Sequence, residues 1–204
     1  MSAIDPLRTL ALAVKQLAMT RSLSLLALSL AACVAAPNSG TPSSAVLRSP
    51  VQVASNGDVE SFYGVPTSLT VSGLKRLPYH VVTGQEMGEG ELETFYMITG
   101  INGVEVKVAF SDNGKFYLAQ SESSNAVGPR GVGVGSSLFQ VKAAWPTGKL
   151  LYGSEDGQFV TFVTGTNLLY NFDARDMPPA AFDHPPKEVT VPNLKVKRIR
   201  IFAR

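Results

Sequence analysis

Between residues 104 and 110 the chain alternates without a break: Val104, Val106, Val108 and Phe110 on one side, Glu105, Lys107 and Ala109 on the other. A two-residue period sends successive side chains to opposite faces of an extended strand, and a helix cannot segregate such a run. The chain is therefore limited to folds containing a sheet with one face on a core and the other towards water. Neighbouring runs agree. Glu93–Thr99 (ETFYMIT) is aromatic and rich in strand formers, and it leads through Gly100-Ile101-Asn102-Gly103 into the alternating run. Asp112-Asn113-Gly114 then turns the chain into Lys115–Gln120 (KFYLAQ). Strands joined by such short turns form an antiparallel meander. Further strands are predicted near Lys149–Gly153, Gln158–Thr164 and Asn167–Asp173, with turns at Glu155-Asp156-Gly157 and Thr164-Gly165. After a proline-rich loop at 178–186, Leu194–Phe202 reads as a closing strand. Its parity slips between Val196 and Ile199, as at a β-bulge.

One segment carries the helical period. Ser137 and Gln140 fit a capping box, Leu138, Val141 and Trp145 recur at i, i+3 and i+7, and Pro146 and Gly148 stop the run. A second helix is predicted over Pro66–Leu77, opened by Pro66 and closed before Pro78, with Gly73 and Leu69-Thr70-Val71 weakening it. The predicted fold class is α+β: a single domain, residues 46–204, with an antiparallel β-sheet and one or two helices packed on one face.

A different kind of segment precedes this domain. Residues 22–32 (SLSLLALSLAA) form an apolar run after Arg21, and the run closes on Leu30-Ala31-Ala32-Cys33. A charged start, a short apolar core and small residues at a cut site are the pattern of an export signal. The run falls short of the roughly 20 apolar residues that span a bilayer, and Lys15 and Arg21 prevent a longer one. Residues 1–32 are thus read as a lipoprotein signal peptide. Met19 could start a compact version of it, which would make 1–18 an upstream-start artefact. Cys33 is the only cysteine of the chain. A single thiol in an exported protein suggests a reactive group or an intermolecular disulfide; acylation of Cys33 removes the anomaly. Residues 33–45, small and rich in Pro, Gly and Ser, read as a flexible tether.

Charge excludes one class of partner. The whole chain carries a formal net charge of +2, but Arg8, Lys15, Arg21 and Asp5 lie in the leader, leaving 15 basic and 15 acidic residues. No net field remains to attract nucleic acid. Lys195, Lys197, Arg198, Arg200 and Arg204 gather at the end, where the solvated face of a strand explains them better than a binding patch.

Motifs for chemistry are sparse. Gly131-x-Gly133-x-Gly135 lacks the spacing and the lysine of a phosphate-binding loop, and tight backbone packing is its simpler role. Ser72-Gly73-Leu74-Lys75 matches S-x-x-K, but the K-T-G partner of that chemistry does not occur. The only histidines are His80 and His184; the latter neighbours Asp173, Asp176 and Asp183, which could offer oxygens to a hard cation without any recognisable loop spacing. Glu86, Glu89, Glu91 and Glu93 flank glycines and read as a solvated hairpin loop, with nothing to set the separation a glycosidase pair needs. No catalytic, cofactor-binding or metal-binding residue is assigned. Cys33, as lipidation site, is the one residue given a chemical role.

The lipobox leader, the meander, the run from Gly131 to Trp145 (GVGVGSSLFQVKAAW) and the strand Lys195–Ile201 (KVKRIRI) together resemble the sigma-E-regulated (RpoE-regulated) lipoprotein family of Gram-negative bacteria, a family of unknown function. The likeness covers roughly residues 60–204. It departs at 66–77, where relatives carry a longer, more polar helix. The resemblance implies a diacylglyceryl group and usually an N-acyl group on Cys33, and Val34 after the cysteine implies the outer membrane, facing the periplasm. It supplies no functional residues. The expectation is a non-catalytic envelope lipoprotein, with a binding or support role in envelope maintenance or stress, whose partners are the membrane and an unidentified envelope protein. The alternative is a periplasmic inhibitor or small-ligand module using loops 121–135 or 173–190. An enzyme is the least favoured reading, since it needs a pocket gathering His80, His184 or several carboxylates.

Overall fold

The computed structural model of the chain describes residues 49–88, 90–153, 158–183 and 194–204. The leader 1–32, Cys33 and the tether to 45, Glu89, the turn Glu155-Asp156-Gly157 and His184 lie outside the described residues.

Alternation becomes sheet where expected. Strands β5 (Glu91–Thr99), β6 (Glu105–Phe110) and β7 (Phe116–Ser121) form the meander. The turn before β6 places Asn102 at φ 58 and Gly103 at φ 70, the left-handed region that Asn and Gly tolerate best. β8 (Lys149–Gly153), β9 (Phe159–Val163) and β10 (Leu168–Phe172) form a second set. β11 (Val196–Phe202) lies between the two sets and β4 (His80–Gly88) flanks β5, giving an eight-stranded antiparallel sheet in the order β4-β5-β6-β7-β11-β10-β9-β8. The parity slip in β11 is a real bulge: Asn171 faces Arg198 and Phe172 faces Val196, which leaves Lys197 as the extra residue.

The core lies on one face of this sheet. Across the strands Ile98, Val106, Ser121, Ile199, Tyr170 and Phe162 follow one another in register, all buried. Against them packs α1 (Leu138–Ala144) through Leu138, Val141 and the following Trp145, while Phe139 on its outer side is 80% exposed. Ser137 and Gln140 form the predicted capping box, reciprocally satisfying backbone donors of the first turn. A small antiparallel sheet of β1 (Val51–Val53), β2 (Val59–Phe62) and β3 (Val65–Pro66) adds Val59, Phe62, Tyr63 and Val65 to the same core.

Two expectations need correction. Pro66–Leu77 is not an α-helix: Pro66 ends β3, and only Val71–Arg76 turns, as a 3-10 helix. The backbone of 69–71 is committed elsewhere. Leu69 O accepts from Phe116 N at 3.1 Å, and Val71 N donates to Gly114 O at 3.1 Å. Thr70 then caps the turn by accepting from Gly73 N, and Leu77 is extended before Pro78. Glu86, Glu91 and Glu93 are not in a loop either. His80–Gly88 is a full strand, β4, in unbroken register with β5, so Glu86 and Glu93 face one another across a ladder.

Within the glycine run 131–135, Gly133 is tightly packed, while Gly131 and Gly135 stand in open space at φ 73 and 87. Gly128 N donates to Val132 O at 2.7 Å and Val134 N to Ala126 O at 2.9 Å, and a Cβ on Gly133 would sit 2.5 Å from Ala126 O. Arg130, at φ 62, lays its guanidinium 4.0 Å from the Trp145 ring and donates to Ala144 O. Beneath this loop the Tyr170 hydroxyl and Trp145 Nε1 are buried without a hydrogen bond of ordinary geometry. Burial pushes the Tyr170 phenol far above its usual range, and the nearby indole and Arg130 offset this only in part. A tyrosine in the unfolded chain ionises near pH 10, so above that pH the unfolded state sheds a proton that the folded state keeps. The Tyr170 contribution should not vary with pH below about pH 10, and above it should lower stability by up to about 1.4 kcal/mol per pH unit. Urea unfolding at pH 9 and pH 11 should show a larger loss for the wild type than for Tyr170→Phe. Equal losses would place the alkaline sensitivity elsewhere.

Candidate functional site

The described surface contains a cleft of about 560 Å³ where the small sheet, the 67–70 segment, the start of β7 and the C-terminal residues meet. Its floor is a polar network built from residues remote in sequence. Asp58, only 8% exposed, is fully engaged. Its Oδ1 accepts from Asn167 N at 3.0 Å, and its Oδ2 accepts from Asn56 Nδ2 at 2.8 Å and pairs with Arg204 Nη1 at 2.8 Å. The Asn167 amide reads the backbone of β2 from both sides, accepting from Val59 N at 2.8 Å and donating to Val59 O at 2.9 Å. Arg204 Nη2 also donates to Gly165 O at 3.2 Å.

With three partners on its carboxylate, Asp58 is the centre of a clasp joining remote parts of the chain. The open part of the cleft is lined by Glu60, Thr67, Ser68, Thr70 and Lys115. Thr67 is turned inward onto Glu60 O, and Thr70 onto Gly73 N and Ser72. Ser68 and Lys115 are exposed, and among the described residues no acidic partner of the Lys115 ammonium is seen. Hydroxyls beside an ammonium can hold a small polar or anionic group, and nothing here supplies a nucleophile–base pair.

The residues singled out in the sequence do not converge. Ser72 and Lys75 lie on the exposed 3-10 turn, where the Ser72 hydroxyl is 3.1 Å from Thr70 Oγ1. His80 opens β4 opposite Thr99 and is exposed. Asp173 caps the turn Ala174–Asp176 and is bound by Arg175 (2.5 Å) with Lys197 at 3.9 Å. These cations, the Arg175 hydrogen bonds first, hold its carboxyl well below the usual range, opposite to what a shared proton would do. Asp176 is exposed, and Asp183 ends the short helix α2 (Ala180–Asp183). Among the described residues no group of three His, Cys, Asp or Glu side chains is arranged to hold a metal.

The terminal basic residues are distributed one by one. Arg198 pairs with Glu122, Lys197 leans on Asp173, Arg204 holds Asp58, and Lys195 is exposed. Arg200 lies half-buried on the sheet face opposite the core, its guanidinium 5.2 Å from the Phe202 ring. Burial and the neighbouring Arg198 lower its pKa from the usual arginine range. The clasp itself had no sequence signal, because Asp58 and Asn167 are separated by 109 positions.

Fold and cleft together define an antiparallel α+β domain with a polar surface groove. No family model and no curated protein matches the chain. Among solved structures it is similar to the uncharacterized protein yfeY from Escherichia coli, with 18% sequence identity and a TM-score of 0.48 over 67% of this chain and 90% of that one.

Proposed function

We propose that this chain is an outer-membrane lipoprotein, anchored through acylated Cys33 and facing the periplasm, whose domain binds or supports another envelope component without catalysing a reaction. The observation that carries the reading is the string Leu30-Ala31-Ala32-Cys33 at the end of the apolar run 22–32, followed by the Pro/Gly/Ser tether. Each buried methylene of an acyl chain contributes about 0.8 kcal/mol, and stable anchoring takes more than one chain. A lipoprotein cysteine meets that requirement. The resemblance to the sigma-E-regulated lipoproteins supports the same placement and adds a role in envelope stress. The balanced charge of residues 33–204 argues against nucleic acid as partner.

Substituting Cys33→Ala should move the protein from the membrane pellet to the soluble fraction of the envelope, with its far-UV dichroism unchanged. A variant that still sediments with membranes would remove the basis of the reading.

A second reading, a periplasmic small-ligand module, is favoured by the cleft beside Ser68 and Lys115. Lys115→Ala should then abolish any ligand-induced rise in melting temperature while leaving the unliganded value within a degree or two. A ligand shift that survives the substitution would place binding elsewhere.

A further inference from the structure

The two edges of the large sheet are protected differently. β8 is five residues long, begins with Lys149 and follows closely on Pro146. Such short, charged edges keep sheets from pairing with one another. β4, the other edge, runs for nine residues without proline, lysine, arginine or any break in register. Its outer half belongs to a two-stranded arm, because β6 pairs with β5 only from Phe95 onward. Met87 and Leu92, facing one another on this arm, are 68% and 65% exposed. Among the described residues this is an adhesive edge left open.

Geometry specifies what fits it. Two residues separate the last pair, Gly88 and Glu91. The hairpin-closing pair is hydrogen-bonded, and so is every second pair after it. The even-numbered residues of β4 therefore point their backbone groups at β5. Val81, Thr83, Gln85 and Met87 point theirs outward, and among the described residues no strand receives them.

We propose that β4 pairs antiparallel with β4 of a second copy of this chain, about a two-fold axis at Gly84, joining two eight-stranded sheets into one. This register uses all nine residues and sets outward-pointing residues opposite one another. It places Met87 of each copy opposite Val81 of the other, which covers the exposed thioether. It also sets His80 diagonal to Glu86 of the other copy, whose carboxylate already pairs with Lys107 of its own chain. A single added strand pair buries less than the roughly 1,200–2,000 Å² of a standard stable interface, so the dimer is reversible.

Cross-linking tests the register. In the full chain carrying Cys33→Ala, Thr83→Cys and Gln85→Cys introduce one thiol each at exposed positions. In the proposed dimer these positions face one another with Cα atoms about 5.5 Å apart, inside disulfide range. Identical thiols lie two residues out of register, beyond that range. Oxidation of a one-to-one mixture should yield a linked dimer at least about ten-fold more abundant than either variant gives alone. Sedimentation velocity of the Cys33→Ala chain should show mass rising with concentration, and Met87→Lys, with far-UV dichroism unchanged, should raise the dissociation constant at least about ten-fold. Equal linking in all three samples would overturn the proposal. So would a monomer at every concentration, which would leave the edge to an extended segment of another protein.

Discussion

Replacing Phe162 with alanine is expected to lower folding stability by about 3–5 kcal/mol, the range for deleting a fully buried aromatic ring. Phe162 is 1% exposed in the centre of the core face, paired with Tyr170 on one side and Leu150 on the other. Its ring also fills the space that a Cβ on Gly148 would enter, at 2.3 Å. The cavity is walled by strands on both sides, so neighbours cannot collapse into it cheaply. Against a typical total of 5–15 kcal/mol, such a loss is a large fraction of the whole. Urea titration should show the midpoint falling with the slope unchanged. Phe139→Ala, on the exposed side of α1, should change stability by less than about 0.5 kcal/mol. Similar effects for the two residues would refute the assigned core face.

The second large effect is expected at Asn167. Asn167→Ala leaves the N–H and C=O of Val59 buried without partners, and each such orphan costs about 1–3 kcal/mol. A loss of about 2–5 kcal/mol follows, although only one small polar side chain is removed. Arg204, with 38% of its side chain exposed, is the contrasting case: its pairing with Asp58 is screened, and Arg204→Ala should cost below about 1 kcal/mol. The order of the two variants in urea is the test. If Arg204→Ala were the more damaging, the clasp would be held by charge and not by the amide.

What could be read in the sequence follows from which signals are local. β5, β6 and β7 announce themselves through two-residue alternation and Gly/Asn turns, and α1 through a capping box and an apolar stripe. Even the bulge at Lys197 shows in the parity of its own strand. β4 does not, because Gly84, Gly88 and polar residues erase the alternation; it is a strand only because β5 offers nine partners. The 66–77 segment misleads for the same reason. Leu69 and Val71 satisfy their backbones against Gly114 and Phe116, about 45 residues away, which no local propensity records. The clasp is the extreme case: Asn56, Asp58, Asn167 and Arg204 are ordinary polar residues until the fold assembles them.

Placing β11 between β7 and β10 has a consequence in time. The half-sheet β4–β7 and the half-sheet β8–β10 touch edge to edge only through Val196–Phe202. Neither half has its neighbour until a strand 75 positions beyond Ser121 arrives. Such late, long-range closure slows folding, and it leaves the earlier strands unzipped while they are handled as an open chain. On the export route we propose, a chain threaded through a membrane before it settles gains from this delay in closing the sheet.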